Sequence, residues 1–203
     1  MQRRIWNLII AMALMVVGHG AVEAATQAGP EAQEFTLTDS TGAKRSLSEF
    51  RGRFVVLEWV NPECPFVRKH YDSNNMQHLQ RRYAERGVVW LSIDSSAPSK
   101  QGHLTQDQAA AWLKERDASP TALLLDPAGE VGKLYNARTT PHMFIVNREG
   151  QLIYQGAIDD KPSTNPQDVK GAKNYVQQAL DEAMSGAPVS EASSQPYGCS
   201  VKY

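Results

Sequence analysis

The sequence predicts an α/β domain: a mixed central sheet with helices on both faces. Three observations lead there. Apolar, β-rich runs alternate with segments of helical spacing in the order β, β-α-β-α-β, α, β-hairpin, α. The run Phe54 to Val60, following Arg51-Gly52, is almost continuously apolar, the pattern of a strand covered on both faces. Near the other end, Arg148-Glu149-Gly150 joins two short strand-like runs so tightly that they must lie antiparallel.

Composition narrows the function before any motif is considered. The chain has 203 residues, 21 Lys and Arg against 22 Asp and Glu, and 2 Cys. A near-neutral balance with no basic stripe argues against a nucleic-acid binder, and two cysteines do not make a disulfide scaffold. The length suits one domain with an adequate core, so the cysteines are not needed as staples.

The chain opens Met1-Gln2-Arg3-Arg4, followed by an apolar run from Ile5 to Val17 and then Gly18 to Ala25 in small and polar residues. This is the pattern of a secretory signal peptide over residues 1–24, with Val22-Glu23-Ala24 before the cut. The apolar run is shorter than the roughly 20 residues a membrane span requires, so no stable span is expected; an uncleaved N-terminal anchor is the alternative. Either way the domain is exported. The expected destination is a bacterial periplasm, where thiols meet an oxidising environment. Residues 25–33 read as a polar linker.

Each later element has its own signal. Glu34 to Asp39 alternates polar and apolar, a half-buried strand, and Asp39-Ser40-Thr41-Gly42 is turn chemistry. Phe54 to Val60 is the central strand. Asn61-Pro62-Glu63 leads into a helical segment from Pro65 to Arg86, with a kink expected at Asn74-Asn75 and closure by Gly87. Val88 to Asp94 is a strand, Thr105 to Arg116 a helix, and Thr121 to Leu125 a third strand. Gly129 to Asn136 is a short helix, and Thr139-Thr140-Pro141 leads into the hairpin His142 to Val146 and Gln151 to Gln155. Gly171 to Met184 is a final helix with Tyr175, Val176, Ala179, Leu180 and Ala183 on one face. Residues 34–185 thus form the domain. Residues 186–203, richer in Ser, Ala and Pro, form a tail carrying Cys199. Trp59 and Trp90 read as core.

Cys64 stands where the central strand gives way to the helix, directly before Pro65, a residue suited to the first helical position. As an N-cap it sits among free backbone N–H groups at the positive end of the helix dipole, which favours the thiolate. Arg68 and Lys69, one turn on, add positive potential, and Glu63 opposes it. Cys64 is therefore a candidate nucleophile expected to face the surface; the alternative is an inert core thiol.

These residues carry a resemblance. Phe35-x-Leu37, Gly42, Leu47, Gly52, Phe54 to Val60 and Cys64-Pro65 resemble the opening of the redoxin branch of the thioredoxin-like superfamily, which holds the AhpC/TSA proteins, the peroxiredoxins and exported thiol-disulfide oxidoreductases. Thr140-Pro141 resembles that superfamily's cis-proline, which faces the active cysteine and aligns an extended thiol substrate. The runs Asn61 to Tyr71, Ala157-Ile158-Asp159-Asp160 and Pro196 to Tyr203 look like an exported peroxiredoxin-like subgroup. The resemblance implies a thioredoxin-like fold, catalysis by Cys64, and a substrate groove at Pro65, Thr140 and Pro141. It implies as partners a thiol or disulfide of a protein or small molecule and an external reductant, with no cofactor and no metal.

Departures from the family pattern limit the chemistry. A thioredoxin-type enzyme has a second cysteine three residues after the first; here that position is Val67. Typical peroxiredoxins have Thr or Ser where Asn61 stands, and an Arg near the position of Pro141; Arg138 and Arg68 are the possible substitutes. Cys199 offers the missing thiol, on a tail whose Tyr197 and Tyr203 could dock it onto the domain. It could resolve an oxidised Cys64, form a permanent intrachain disulfide worth about 4 to 5 kcal/mol in the chain-entropy model, or pair with another chain. His70 with Cys64 and Cys199 would suggest a copper-type site in a binding module without turnover. Such sites need a second nearby cysteine, so His70 is expected to face solvent, and Asp159-Asp160 is expected to be turn chemistry.

Overall fold

The computed structural model describes residues 29–203. The signal segment expected over 1–24 and the first residues of the linker expected over 25–33 lie outside the described residues. Fourteen named elements follow in chain order: β1 (Thr36–Asp39), β2 (Lys44–Ser46), β3 (Val55–Trp59), α1 (Pro65–Asp72), α2 (Asn75–Ala84), β4 (Val89–Asp94), α3 (Gln106–Glu115), β5 (Ala122–Leu125), α4 (Glu130–Leu134), β6 (Thr139–Thr140), β7 (His142–Val146), β8 (Leu152–Gly156), α5 (Tyr175–Met184) and β9 (Cys199–Ser200).

Seven strands make one mixed sheet in the order β2-β1-β5-β4-β3-β7-β8. β3, β4 and β5 run parallel, while β7 and β8 on one side and β1 and β2 on the other are antiparallel. All five β3 residues are buried, and their side chains divide by the two-residue period of a strand. Val56 joins Leu79, Tyr83, Trp112, Leu123, Ile145 and Leu180 in one core, under α1, α2, α3 and α5. Val55, Leu57 and Trp59 join Phe35, Phe50, Leu91, Val131, Tyr135 and Phe144 in a second core, on the side of α4. Helices thus cover both faces, and the fold is thioredoxin-like. At about 1.5 to 3 kcal/mol for each fully buried large apolar side chain, these two layers are the main favourable contribution.

Glu58, also on β3, is fully buried and accepts hydrogen bonds from Tyr71 Oη (2.9 Å), Trp90 Nε1 (2.8 Å) and Ser92 Oγ (2.8 Å). Burial outweighs those bonds and raises its pKa.

Four local expectations are revised. The first strand turns at Gly42 (φ +87°) into a hairpin whose second strand, Lys44-Arg45-Ser46, is too polar to announce itself. The long helix is two helices, because Asn74 takes a left-handed φ of 58° that Asn tolerates. The last helix starts at Tyr175, where Asn174 caps it by accepting from Gln177 N. Finally, β9 pairs antiparallel with β6. In addition, Leu152 N donates to Pro30 O and Ala32 N to Gly150 O, so this part of the expected linker lies along the hairpin.

Candidate functional site

The register of the sheet builds the site. Trp59 pairs with His142 in the antiparallel β3–β7 ladder, so the chain entering β7 passes beside the chain leaving β3. Residues 61–64 make the exit turn: Asn61 Oδ1 accepts from Glu63 N (2.8 Å), and Cys64 N donates to Asn61 O (3.1 Å). Cys64 is the N-cap of α1 with Pro65 at the first helical position, and Arg68 N donates to its carbonyl. On the neighbouring strand the Thr140–Pro141 peptide is cis. Val67, in the place of a second cysteine, is buried in the core.

The tail completes the arrangement. Thr140 pairs with Cys199 and Thr139 with Ser200, and Val201 N donates to Arg138 O. This close approach depends on Gly198, whose φ is +142° and whose notional Cβ would lie 2.1 Å from Thr140 O. Both tyrosines dock, as their placement suggested. The Tyr203 hydroxyl donates to Ala137 O (2.7 Å), and its ring lies against Gly129 and Gly132, where any Cβ would collide with it. Tyr197 packs edge-on to Phe66, with ring centroids 5.8 Å apart. Upstream, Ser194 Oγ accepts from Ala157 N (2.9 Å) and Ser194 N donates to Gln155 O, which ties the tail to β8.

Cys64 and Cys199 are free thiols, and both meet Thr140: Cys199 as its strand partner and Cys64 through its sulfur. The Cys64 thiol donates to Thr140 O at 3.0 Å. Burial pushes its pKa up, but the Cys199 thiol, the Thr140 hydroxyl and the N–H groups of Cys199 and Val67 outweigh burial and bring it below the ordinary value. The Thr140 hydroxyl is buried without a hydrogen-bond partner, which leaves it available to the sulfur. For Cys199, burial, the hydrogen bond to Cys64 and the Cys64 charge push the pKa up to about 11. One sulfur is set up as the thiolate and the other as its proton donor.

Several sequence expectations are corrected here. Cys64 is 1% exposed rather than surface-facing. Arg68 is exposed and donates to Pro62 O, and Lys69 is wholly buried. Neither cation is among the groups that lower the Cys64 pKa. The Lys69 ammonium instead meets Asp159 Oδ2 (3.3 Å), Lys161 O (2.5 Å) and Tyr197 Oη (3.3 Å). His70 is not solvent-facing: it is 0% exposed, with Nε2 on Tyr197 Oη (3.2 Å) and Nδ1 on Asn75 Nδ2 (3.0 Å). Asp159 does make the expected turn, its Oδ1 accepting from Lys161 N (3.0 Å), but it is also the buried partner of Lys69. Among the described residues, no three His, Cys, Asp or Glu side chains converge as a metal-holding group.

Sequence reading missed the Val67 N–H, which any residue type supplies, and the convergence of Lys69, His70, Asp159 and Tyr197. Its only trace was that these four lie in the runs 61–71, 157–160 and 196–203 that carried the subgroup resemblance.

Thiol-disulfide oxidoreductase ResA of Bacillus cereus is 27% identical over 139 residues, which span 68% of this chain and 74% of that protein. A hypothetical protein of Sinorhizobium meliloti superposes with a TM-score of 0.76 at 25% identity, covering 88% of this chain and 96% of its own. The thioredoxin domain of a thiol-disulfide oxidoreductase from Bacteroides vulgatus shares the fold, with a TM-score of 0.51 at 18% identity over 70% of this chain and 95% of its own. The AhpC/TSA family model matches residues 28–155, from before β1 to the end of the hairpin, including Cys64 and the Thr140-Pro141 peptide. With that match covering more than half its length, the chain belongs to the AhpC/TSA family.

Proposed function

We propose that this protein is an exported thiol-disulfide oxidoreductase in which Cys64 is the nucleophile and Cys199 the resolving thiol. The observation that carries this reading is the β6–β9 pair, which aligns Cys199 with Thr140, the residue whose carbonyl oxygen lies 3.0 Å from the Cys64 sulfur. ResA, whose name states that activity, is a relative in agreement with it. Export rests on the pattern of Met1 to Ala24. Among the described residues no helix is long and apolar enough to cross a membrane.

The chemistry follows from the two thiols. The Cys64 thiolate attacks one sulfur of a substrate disulfide, forming a mixed disulfide and releasing the other sulfur as a thiolate that takes up a proton. With Cys64 now neutral, the charge and hydrogen bond that raised the Cys199 pKa are gone. Cys199 loses its proton and attacks the Cys64 sulfur, and the second substrate thiol departs. The substrate disulfide has been reduced by two electrons and the protein dithiol oxidised to a Cys64–Cys199 disulfide. An external dithiol restores it. Thr140 and Pro141 border the groove in which the substrate lies, and Pro65 starts the helix beneath it. Peroxide reduction is the weaker reading, since the Arg68 guanidinium is held on Pro62 O and Arg138 is exposed.

The test is oxidation by glutathione disulfide followed by peptide mapping. Wild type is expected to give an intrachain Cys64–Cys199 disulfide, and Cys199→Ser to accumulate glutathione on Cys64. Failure of Cys64 to react, or a wild-type protein that keeps glutathione on Cys64, overturns the reading.

A further inference from the structure

Two residues before Cys199, the Tyr197 hydroxyl enters a buried polar cluster on the helix that Cys64 begins. It donates to Asp159 Oδ1 and accepts from Lys69 Nζ (3.3 Å). The Asn75 side-chain nitrogen can only donate, so His70 Nδ1 accepts from it, and Nε2–H donates to the Tyr197 oxygen at 3.2 Å. The Lys69 and Asp159 side chains are 0% and 1% exposed and lie 3.3 Å apart. The Lys69 ammonium also lies 5.4 Å from the centre of the Tyr197 ring. One tail hydroxyl therefore completes the hydrogen bonding of a buried cation, a buried carboxylate and a buried imidazole. Lifting the tail leaves all three short of a partner, which is costly for charged groups out of water.

With the tail down, Cys64 is 1% exposed and its neighbour is Cys199. An external disulfide reaches that sulfur only when the segment around Cys199 moves away, whereas resolution requires the segment to return.

We propose that Lys69, His70, Asp159 and Tyr197 form a latch whose opening admits the external disulfide and whose closing brings Cys199 to Cys64. They are positioning residues, and the idea rests on the resolving role of Cys199. The latch acts with opposite sign on the two half-reactions. Weakening it speeds attack on Cys64 from outside and slows closure of the internal disulfide. A merely structural contribution to folding has no reason to divide in that way.

Tyr197→Phe keeps the ring and removes the hydroxyl. The loss of a buried hydrogen bond to charged groups corresponds to about tenfold or more in an equilibrium. The expected result is alkylation of Cys64 by iodoacetamide about tenfold faster, with the effective concentration of Cys199 in a glutathione redox buffer about tenfold lower. Asp159→Asn should move both quantities in the same senses. Tyr83→Phe, whose hydroxyl donates to Gln177 O away from the latch, should move neither, and near-UV circular dichroism checks that packing survives. Unchanged values in Tyr197→Phe, or both rates changing in one direction, overturn the latch. Alkylation repeated in a Cys199→Ser background decides the latch on its own. A wild-type protein that never closes the disulfide removes the resolving role instead.

Discussion

The Thr140 carbonyl oxygen lies 3.0 Å from the Cys64 sulfur, and the same residue is aligned across a strand pair with Cys199. A single backbone position thus receives the nucleophile's proton and sets the register of its partner. The Thr140 side chain can be changed without touching either backbone function. Thr140→Val keeps the β-branched shape and removes the hydroxyl that helps lower the Cys64 pKa. The expected outcome is an upward move of the Cys64 titration, read as alkylation rate against pH. Because that hydroxyl has no hydrogen-bond partner in the reduced protein, stability should change by no more than about 1 kcal/mol in thermal unfolding.

Gly198→Ala tests the tail from the other side of the contact. An added Cβ falls 2.1 Å from Thr140 O, at a φ that side chains rarely adopt. Strain of about 1 to 3 kcal/mol should appear in the docked tail, with closure of the Cys64–Cys199 disulfide reduced roughly tenfold or more in a glutathione buffer. The seven-stranded sheet does not contain this residue, so far-UV circular dichroism should be unchanged.

Much of this architecture was legible in the sequence, and the exceptions have physical causes. Alternating apolar runs revealed the sheet because a buried strand must be apolar, and Cys64-Pro65 revealed the helix start because the N-cap position selects its residues. The Thr140-Pro141 peptide was placed only by resemblance. Lys44–Ser46 and Cys199–Ser200 bury too little for periodicity to show. The errors at Cys64 and His70 share one origin. Each is a polar or reactive side chain buried by a tail whose path depends on pairing 59 positions along the chain, from Thr140 to Cys199. Local rules hold no information about that path.

The two buried histidines predict acid sensitivity. Burial, acting against Asp159 and with Lys69, lowers His70 to about 4. Burial and Arg138 lower His142 to about 4. Below an unfolded pKa near 6.5 the unfolded chain binds protons that the native chain refuses, so each histidine withdraws stability as pH falls from about 6.5 to 4. Glu58 and Asp94, whose pKa values burial raises, act in the opposite sense. The clean measurement is therefore a difference. His142→Gln should show a shallower loss of unfolding free energy than wild type between pH 6.5 and 4, by an amount on the order of 3 kcal/mol, read from denaturant unfolding at each pH.

Cys199 carries a prediction of order. In the reduced protein its thiol should resist modification until the pH approaches about 11. Cys64→Ser removes the charge and the thiolate acceptor that help hold the proton there, so the Cys199 titration should move down. An unchanged profile in that variant would show that burial alone sets its value.

The β6–β9 pair also has a consequence for association between molecules. A lifted tail uncovers the backbone groups of Thr139 and Thr140, an edge that an extended strand from elsewhere can occupy. The strand with the best fit to that edge is Gly198-Cys199-Ser200 of a second copy, which makes every contact in trans that it makes in cis. Two opened molecules can thus exchange tails into a two-fold symmetric dimer, with each Cys64 facing the other's Cys199.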